Sequence, residues 1–187
     1  PSGRLVYSFQ LYPSLVREED RRAFDGVRVG KLLFGLQSTT PETFAPMRRS
    51  GSIEHLARAI TILRDVGPIY VSVLLGLPGE TLASFRRVID EVSAIEGAHV
   101  SVHRLLVLPG TQLHTRHEEL GLRFDEQRFY RLTESREMSS QDMLRAQDYV
   151  IERAIAKGRA PGRGPWIDWT NFDVQARAFD APELVRR

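Results

Sequence analysis

The sequence predicts an α/β fold built on a parallel sheet, and three observations carry that expectation. Short, nearly continuous apolar runs recur at residues 31–37, 69–75 and 100–108, as in strands covered on both faces. Stretches with helical spacing of apolar residues separate them. Strand, helix and strand in that order require right-handed crossovers between parallel neighbours.

The elements follow in chain order. A first strand is expected over residues 4–10, and a charged helical pattern with few apolar positions over 17–27. After the strand at 31–37, Thr40 is placed to cap a short helix over 41–49, with Pro41 at its first position. The next helix starts at Ser52 and carries Ile53, Leu56, Ile60 and Leu63 on one face, with Gly67 just past its end. The strand at 69–75 leads to a helix from Thr81 with Leu82, Phe85, Val88, Ile89, Val92 and Ile95 at helical spacing. After the strand at 100–108, residues 111–120 and 139–157 read as helices, and 124–135 as a less regular stretch.

The string "GRAPGRGP" at 158–165 cannot hold a helix. It divides the chain into a body at 1–157 and a connector with an amphipathic aromatic tail at 158–187, which is expected to pack on a partner surface. No repeat or low-complexity tract is visible.

At 187 residues, 42% hydrophobic and 27% charged, the chain has the composition of a soluble globular domain. No window approaches the ~18 apolar residues of a membrane span, and no signal-peptide pattern stands at the start. The expectation is a cytoplasmic protein that meets no membrane. The net charge is +2, and Lys31 and Lys157 are the only lysines among 26 basic residues. The arginines are scattered among nearly as many acids rather than gathered in a stripe, so no nucleic-acid partner is expected. With no cysteine, disulfides, thiol catalysis and cysteine-held clusters are excluded within these residues. The chain opens at Pro1 in mid-pattern and reads as an excerpt of a longer polypeptide.

In an α/β sheet, ligands meet the carboxyl ends of the strands. Alternation groups Leu33, Gly35 and Gln37 on one face of their strand, Ser72, Leu74 and Gly76 on the next, and Ser8, Gln10 and Tyr12 on the first. Three apolar strands thus each offer a polar group on what is expected to be a shared face. "GLPGET" at 76–81 makes a tight turn into a helix and is expected to present free amides at a positively polarised helix start. "LPGT" at 108–111 repeats the device.

Together, "GLQSTTPETFAPMRRSGS", "VLLGLPGET", "LLVLPGT" and "EELGLRF" resemble the second half of the radical S-adenosylmethionine (SAM) catalytic domain. The resemblance covers roughly residues 4–155. Its nearest flavour is the branch that carries a cobalamin-binding domain, many of whose members are methyltransferases. It implies the C-terminal half of a partial (β/α)6 TIM-like barrel of parallel strands, followed by C-terminal helices. It implies SAM contacts at Gln37, Ser38, Arg49, Ser72 and Leu106. In the family the amide of this "GxQS" string lies near the SAM ribose, and an arginine twelve positions on pairs with the methionyl carboxylate; here that arginine is Arg49. A planar guanidinium suits a carboxylate because it can bond both oxygens. Arg48 is the competing choice.

The sequence departs from the family in three places. Other members have an aspartate four residues before the glycine of the "GLP" turn, where this chain has Ser72. Many carry a glutamate where this chain has Gln10. The three cysteines that bind the [4Fe-4S] cluster are absent, as is the glycine-rich stretch that holds the SAM amino group. The cluster and cobalamin are therefore expected to be held mainly outside this chain, by an N-terminal remainder of the same enzyme. The fragment alone is expected to be inactive.

Gln10, Tyr12 and His103 are the candidates to face a small-molecule or peptide substrate. Core packing is expected for Tyr7 and Phe9. His114 and His117 stand three apart with no third ligand evident, so no metal site is expected. The resemblance implies methyl transfer from SAM through cobalamin to an amino-acid or natural-product scaffold, including an aromatic such as tryptophan. The alternatives are a ring- or thioether-forming radical SAM enzyme and a non-catalytic α/β binding module.

Overall fold

Four strands form one parallel sheet in the order β1-β2-β3-β4: β1 (Tyr7–Leu11), β2 (Val29–Gln37), β3 (Ile69–Leu75) and β4 (Ala98–Arg104). The computed structural model describes residues 5–39 and 52–156. The short helix expected at 41–49, its cap at Thr40, Arg48, Arg49, and the connector and tail at 158–187 lie outside them.

Alternation sorts the sheet into two faces. Leu32, Phe34 and Leu36 of β2 and Val71, Val73 and Leu75 of β3 are almost fully buried. They pack with helix α1 (Ile53–Leu63) and helix α2 (Leu82–Ala94) in one core. Each helix starts on a side-chain cap. The Ser52 hydroxyl accepts the His55 amide at 3.2 Å, and the Thr81 hydroxyl accepts that of Ser84 at 3.1 Å. Such a cap is worth about 1 kcal/mol. Phe85 and Val88 of α2 have no exposed surface, and truncating Phe85 to alanine would cost about 3–5 kcal/mol. Gly67 is fixed by close approach, because a Cβ there would lie 3.2 Å from the Val29 carbonyl oxygen.

Three elements differ from the sequence reading. The charged stretch at 17–27 forms a 3-10 helix, Glu18–Phe24, that buries no residue. With no apolar stripe to pack, an α-helix gains too little there. The strand expected to run to residue 108 leaves the parallel sheet after Arg104. Its continuation pairs with an antiparallel hairpin of β5 (Arg123–Asp125) and β6 (Arg131–Glu134), through Leu132 N–H to the Leu105 carbonyl at 2.9 Å and Val107 N–H to that of Tyr130 at 2.8 Å. The helix expected at 111–120 is a single turn, α3 (Gln112–Thr115).

The last helix, α4 (Ser140–Ala156), packs on α2. The Tyr149 hydroxyl donates to the Asp90 carboxylate at 2.7 Å, and Arg153 donates to Tyr149. No described helix is long and apolar enough to cross a membrane.

Candidate functional site

The second face of the sheet carries the polar groups. Strand register places Gln10 beside Leu33, Leu33 beside Tyr70, and Tyr70 beside His99. One level nearer the carboxyl ends, Gly35, Ser72 and Ser101 lie side by side on three adjacent strands. At that level no side chain is larger than a hydroxymethyl group, so the row forms a shallow trough across the sheet. Ser72 is 8% exposed and Ser101 1%. Beneath the trough, the Lys31 ammonium sits 4.5 Å from the Tyr70 ring centre, and the Tyr70 and His99 rings lie 5.0 Å apart.

Gln37 closes one end of the trough. Its φ is +71°, a left-handed conformation that few non-glycine residues adopt and that recurs at functional sites. The pairing of β2 with β3 slips between Gly35 and Gln37, which turns the Gln37 side chain back toward Gly35. A Cβ on Gly35 would lie 3.1 Å from Gln37 Nε2. His103 marks the other end, half-buried, with Nε2 3.0 Å from the Ser101 hydroxyl.

Gln37, Ser72 and His103 therefore share one face at the strand ends, as expected. Gln10 shares it from the edge strand β1, and Tyr12 follows that strand and is exposed. Ser38 has no exposed surface, its amide donating to the Leu36 carbonyl at 2.9 Å. Leu106 stands past the end of β4, exposed, in a bridge with Arg131. Phe9 packs against the core, whereas Tyr7 is exposed. The edge strand has no neighbour on its outer side to cover Tyr7 among the described residues. His114 and His117 pack with Phe124 and Tyr130 in a cluster of rings 5.3–6.0 Å apart.

The turn after β3 differs from the expected anion cradle. Its amides are taken from within. The Gly76 N–H donates to Oε2 of Glu80 at 2.7 Å, and the neighbouring Leu77 amide also favours the charged carboxylate. The Glu80 N–H in turn donates to the Leu77 carbonyl at 2.9 Å. Thr81 and Ser84 cap the helix reciprocally, the amide of each donating to the hydroxyl of the other. Burial pushes the Glu80 pKa up to about 8. Gly76 is required twice over: its φ is +93°, and a Cβ would lie 2.4 Å from Leu132 Cδ2.

Two of these residues escaped the sequence reading. Ser101 could have been found from its place two residues before His103 on the same strand face. Glu80 could have been found from its spacing of four from Gly76, which lets a side chain reach back across a tight turn.

The trough carries neutral polar groups among small residues. It has small residues where a ring could lie, a serine hydroxyl at its floor, and an amide at its rim. These are groups that suit a nucleoside ribose. The described residues do not fit an iron–sulfur cluster, since the chain has no cysteine, and no described residue is marked out for cobalamin.

No family model matches the chain. A ribosomal protein uS12 methylthiotransferase of Roseiflexus castenholzii is 28% identical over 152 residues, covering 80% of this chain and 31% of that protein. A radical S-adenosyl methionine domain-containing protein of Danio rerio is 24% identical over 87 residues, covering 46% of this chain and 20% of that protein. The chain thus spans no more than about a third of these relatives (31% and 20%). Among solved structures, coproporphyrinogen III oxidase from Escherichia coli, described as a radical SAM enzyme, superposes with a TM-score of 0.61 at 19% identity. It covers 81% of this chain, which spans 32% of it. That likeness shows the fold, a parallel α/β sheet of the TIM-like barrel kind. These sequence relatives support a likeness of this chain to the radical SAM superfamily.

Proposed function

We propose that the chain is the C-terminal half of the catalytic barrel of a larger cobalamin-dependent radical SAM methyltransferase acting on an amino-acid or natural-product scaffold. The observation that carries the reading is the Gly35–Ser72–Ser101 trough at the strand ends, rimmed by the left-handed Gln37. In this reading the trough receives the SAM ribose, with Gln37 and Ser72 as its contacts. Arg49, outside the described residues, holds the methionyl carboxylate. His103, Gln10 and Tyr12 face the substrate. When bound, SAM supplies the transferable methyl group. This chain's residues orient it and shield it on one side from water. The cluster and cobalamin are held by the N-terminal remainder of the enzyme.

A second reading is favoured by the Roseiflexus relative, whose named reaction is methylthio transfer. The intact enzyme, reconstituted anaerobically with iron and sulfide and supplied with methyl-labelled SAM, separates the two. The proposal expects label in a methylated product only when cobalamin is present. Label in a methylthio group without cobalamin establishes the second reading, and no product of either kind overturns both.

A further inference from the structure

The carboxyl group of Glu80 is the one buried acid that the proposed site leaves without a task. Glu80 has no exposed surface. One oxygen, Oε2, receives the Gly76 amide at 2.7 Å, while Oε1 is buried without a hydrogen-bond partner among the described residues. The side chain reaches back across the turn that joins the end of β3 to α2, so the carboxyl group plugs the turn from inside. Directly past β3's last residue, this turn lies two strand levels beyond the Gly35–Ser72–Ser101 trough, with the Leu74–His103 pair between them.

We propose that Glu80 is a positioning residue for the candidate site: its buried carboxyl group holds the β3–α2 turn closed, and loss of its proton releases that turn. The consequence for SAM rests on the reading given under Proposed function; the hold on the turn does not.

Two amides favour an ionised carboxyl group, but burial opposes it, and no countercharge among the described residues tips the balance. β3 is apolar apart from Tyr70 and Ser72. On α2, the Arg86 guanidinium lies over the Tyr149 ring at 5.0 Å, Asp90 is bonded by Tyr149, and Arg87 and Glu91 are the remaining charges, Glu91 bonded by the Thr39 hydroxyl at 2.8 Å. On α4, Asp142 is bonded by Ser139 and paired with Arg145, while Asp148, Glu152 and Arg153 are turns away. The side chains that crowd Gly76 are Leu132 and Met143, both apolar. Among the described residues, the groups acting on the carboxyl are the amides of Gly76 and Leu77, and desolvation outweighs them. A full charge with one oxygen unsatisfied in such surroundings is resolved by letting water in, which means opening the turn.

The test follows the amide-exchange protection of Gly76 and Leu77 and the SAM dissociation constant in the intact protein between pH 6 and 9.5. For the wild type, protection at both amides falls about tenfold per pH unit between pH 6 and 8, where the opened turn has lost the proton that the closed turn keeps, and levels off above that; SAM affinity falls over the same range. Glu80→Gln keeps the acceptor without the ionisation, so both profiles become flat. Glu80→Ala loses protection at every pH. A wild-type protection profile flat to pH 9.5, or the same transition in Glu80→Gln, overturns the proposal. If the exchange transition is present while SAM fails to bind at any pH, the hold on the turn stands and the reading of the site as a SAM site falls.

Discussion

The Ser101 hydroxyl lies 3.0 Å from Nε2 of His103, two residues along the same strand and on the same face. A serine with 1% exposure thus orients an imidazole at the mouth of the proposed site. Under the proposed function His103 faces the substrate rather than SAM, so the two can be separated kinetically. His103→Asn is expected to lower kcat by roughly 3- to 10-fold, the scale of one neutral hydrogen bond, with SAM affinity unchanged. Equal losses in SAM affinity would place His103 in the cofactor site instead.

Ser72 stands where other members of the family carry an aspartate, and it is flanked across the sheet by Gly35 and Ser101. An aspartate there could accept charge-assisted bonds from a ribose diol, each about twice as strong as a neutral one. Ser72→Asp is therefore expected to tighten SAM binding and to shift the ratio of 5′-deoxyadenosine to S-adenosylhomocysteine. If both quantities match the wild type, Ser72 only fills the core.

Glu80 also predicts a stability profile. Its pKa rises from the usual 4.5 to about 8 on folding, so the folded state binds the proton more tightly than the unfolded one. Its contribution is fully favourable below pH 4.5 and is lost as pH rises toward 8, by about 1.4 kcal/mol per unit. The difference in unfolding free energy between Glu80→Gln and wild type should therefore grow in favour of the variant between pH 5 and 8, then level off. Denaturant titrations at several pH values give that difference. A constant offset would show that Glu80 does not titrate in this window.

Phe129 and Tyr130 both have φ near +57°, and Phe129 is 78% exposed. Two consecutive left-handed residues with side chains are strained, and the exposed ring returns little burial energy. Phe129→Gly is expected to raise stability by roughly 0.5–1 kcal/mol. A fall in the denaturation midpoint would mean that the Phe129 ring has a packing role.

The sheet was legible because β2 to β4 are buried on the helix side and lined there by leucine, phenylalanine and valine, which leaves an apolar run at each strand. The caps at Ser52 and Thr81 were legible because a hydroxyl before an amphipathic stretch has one efficient use. The hairpin of β5 and β6 was not. Its strands are three and four residues long, too short for alternation to register, and it forms only because the end of β4 supplies a pairing partner. Gln37 and Ser72 were found from alternation. The occupied amides of the 76–81 turn were missed because "GLPGET" was read through its glycines and proline, while the residue that fills the turn is its glutamate.

The central claim is that Gln37, at the rim of the trough, contacts SAM. The measurement is the dissociation constant of SAM for the intact enzyme and for its Gln37→Gly variant. Glycine accepts a φ of +71° without strain, so the variant removes the amide and leaves the backbone path. The account predicts affinity weaker by roughly 0.5–1.5 kcal/mol, the worth of one hydrogen bond; an unchanged dissociation constant would contradict it.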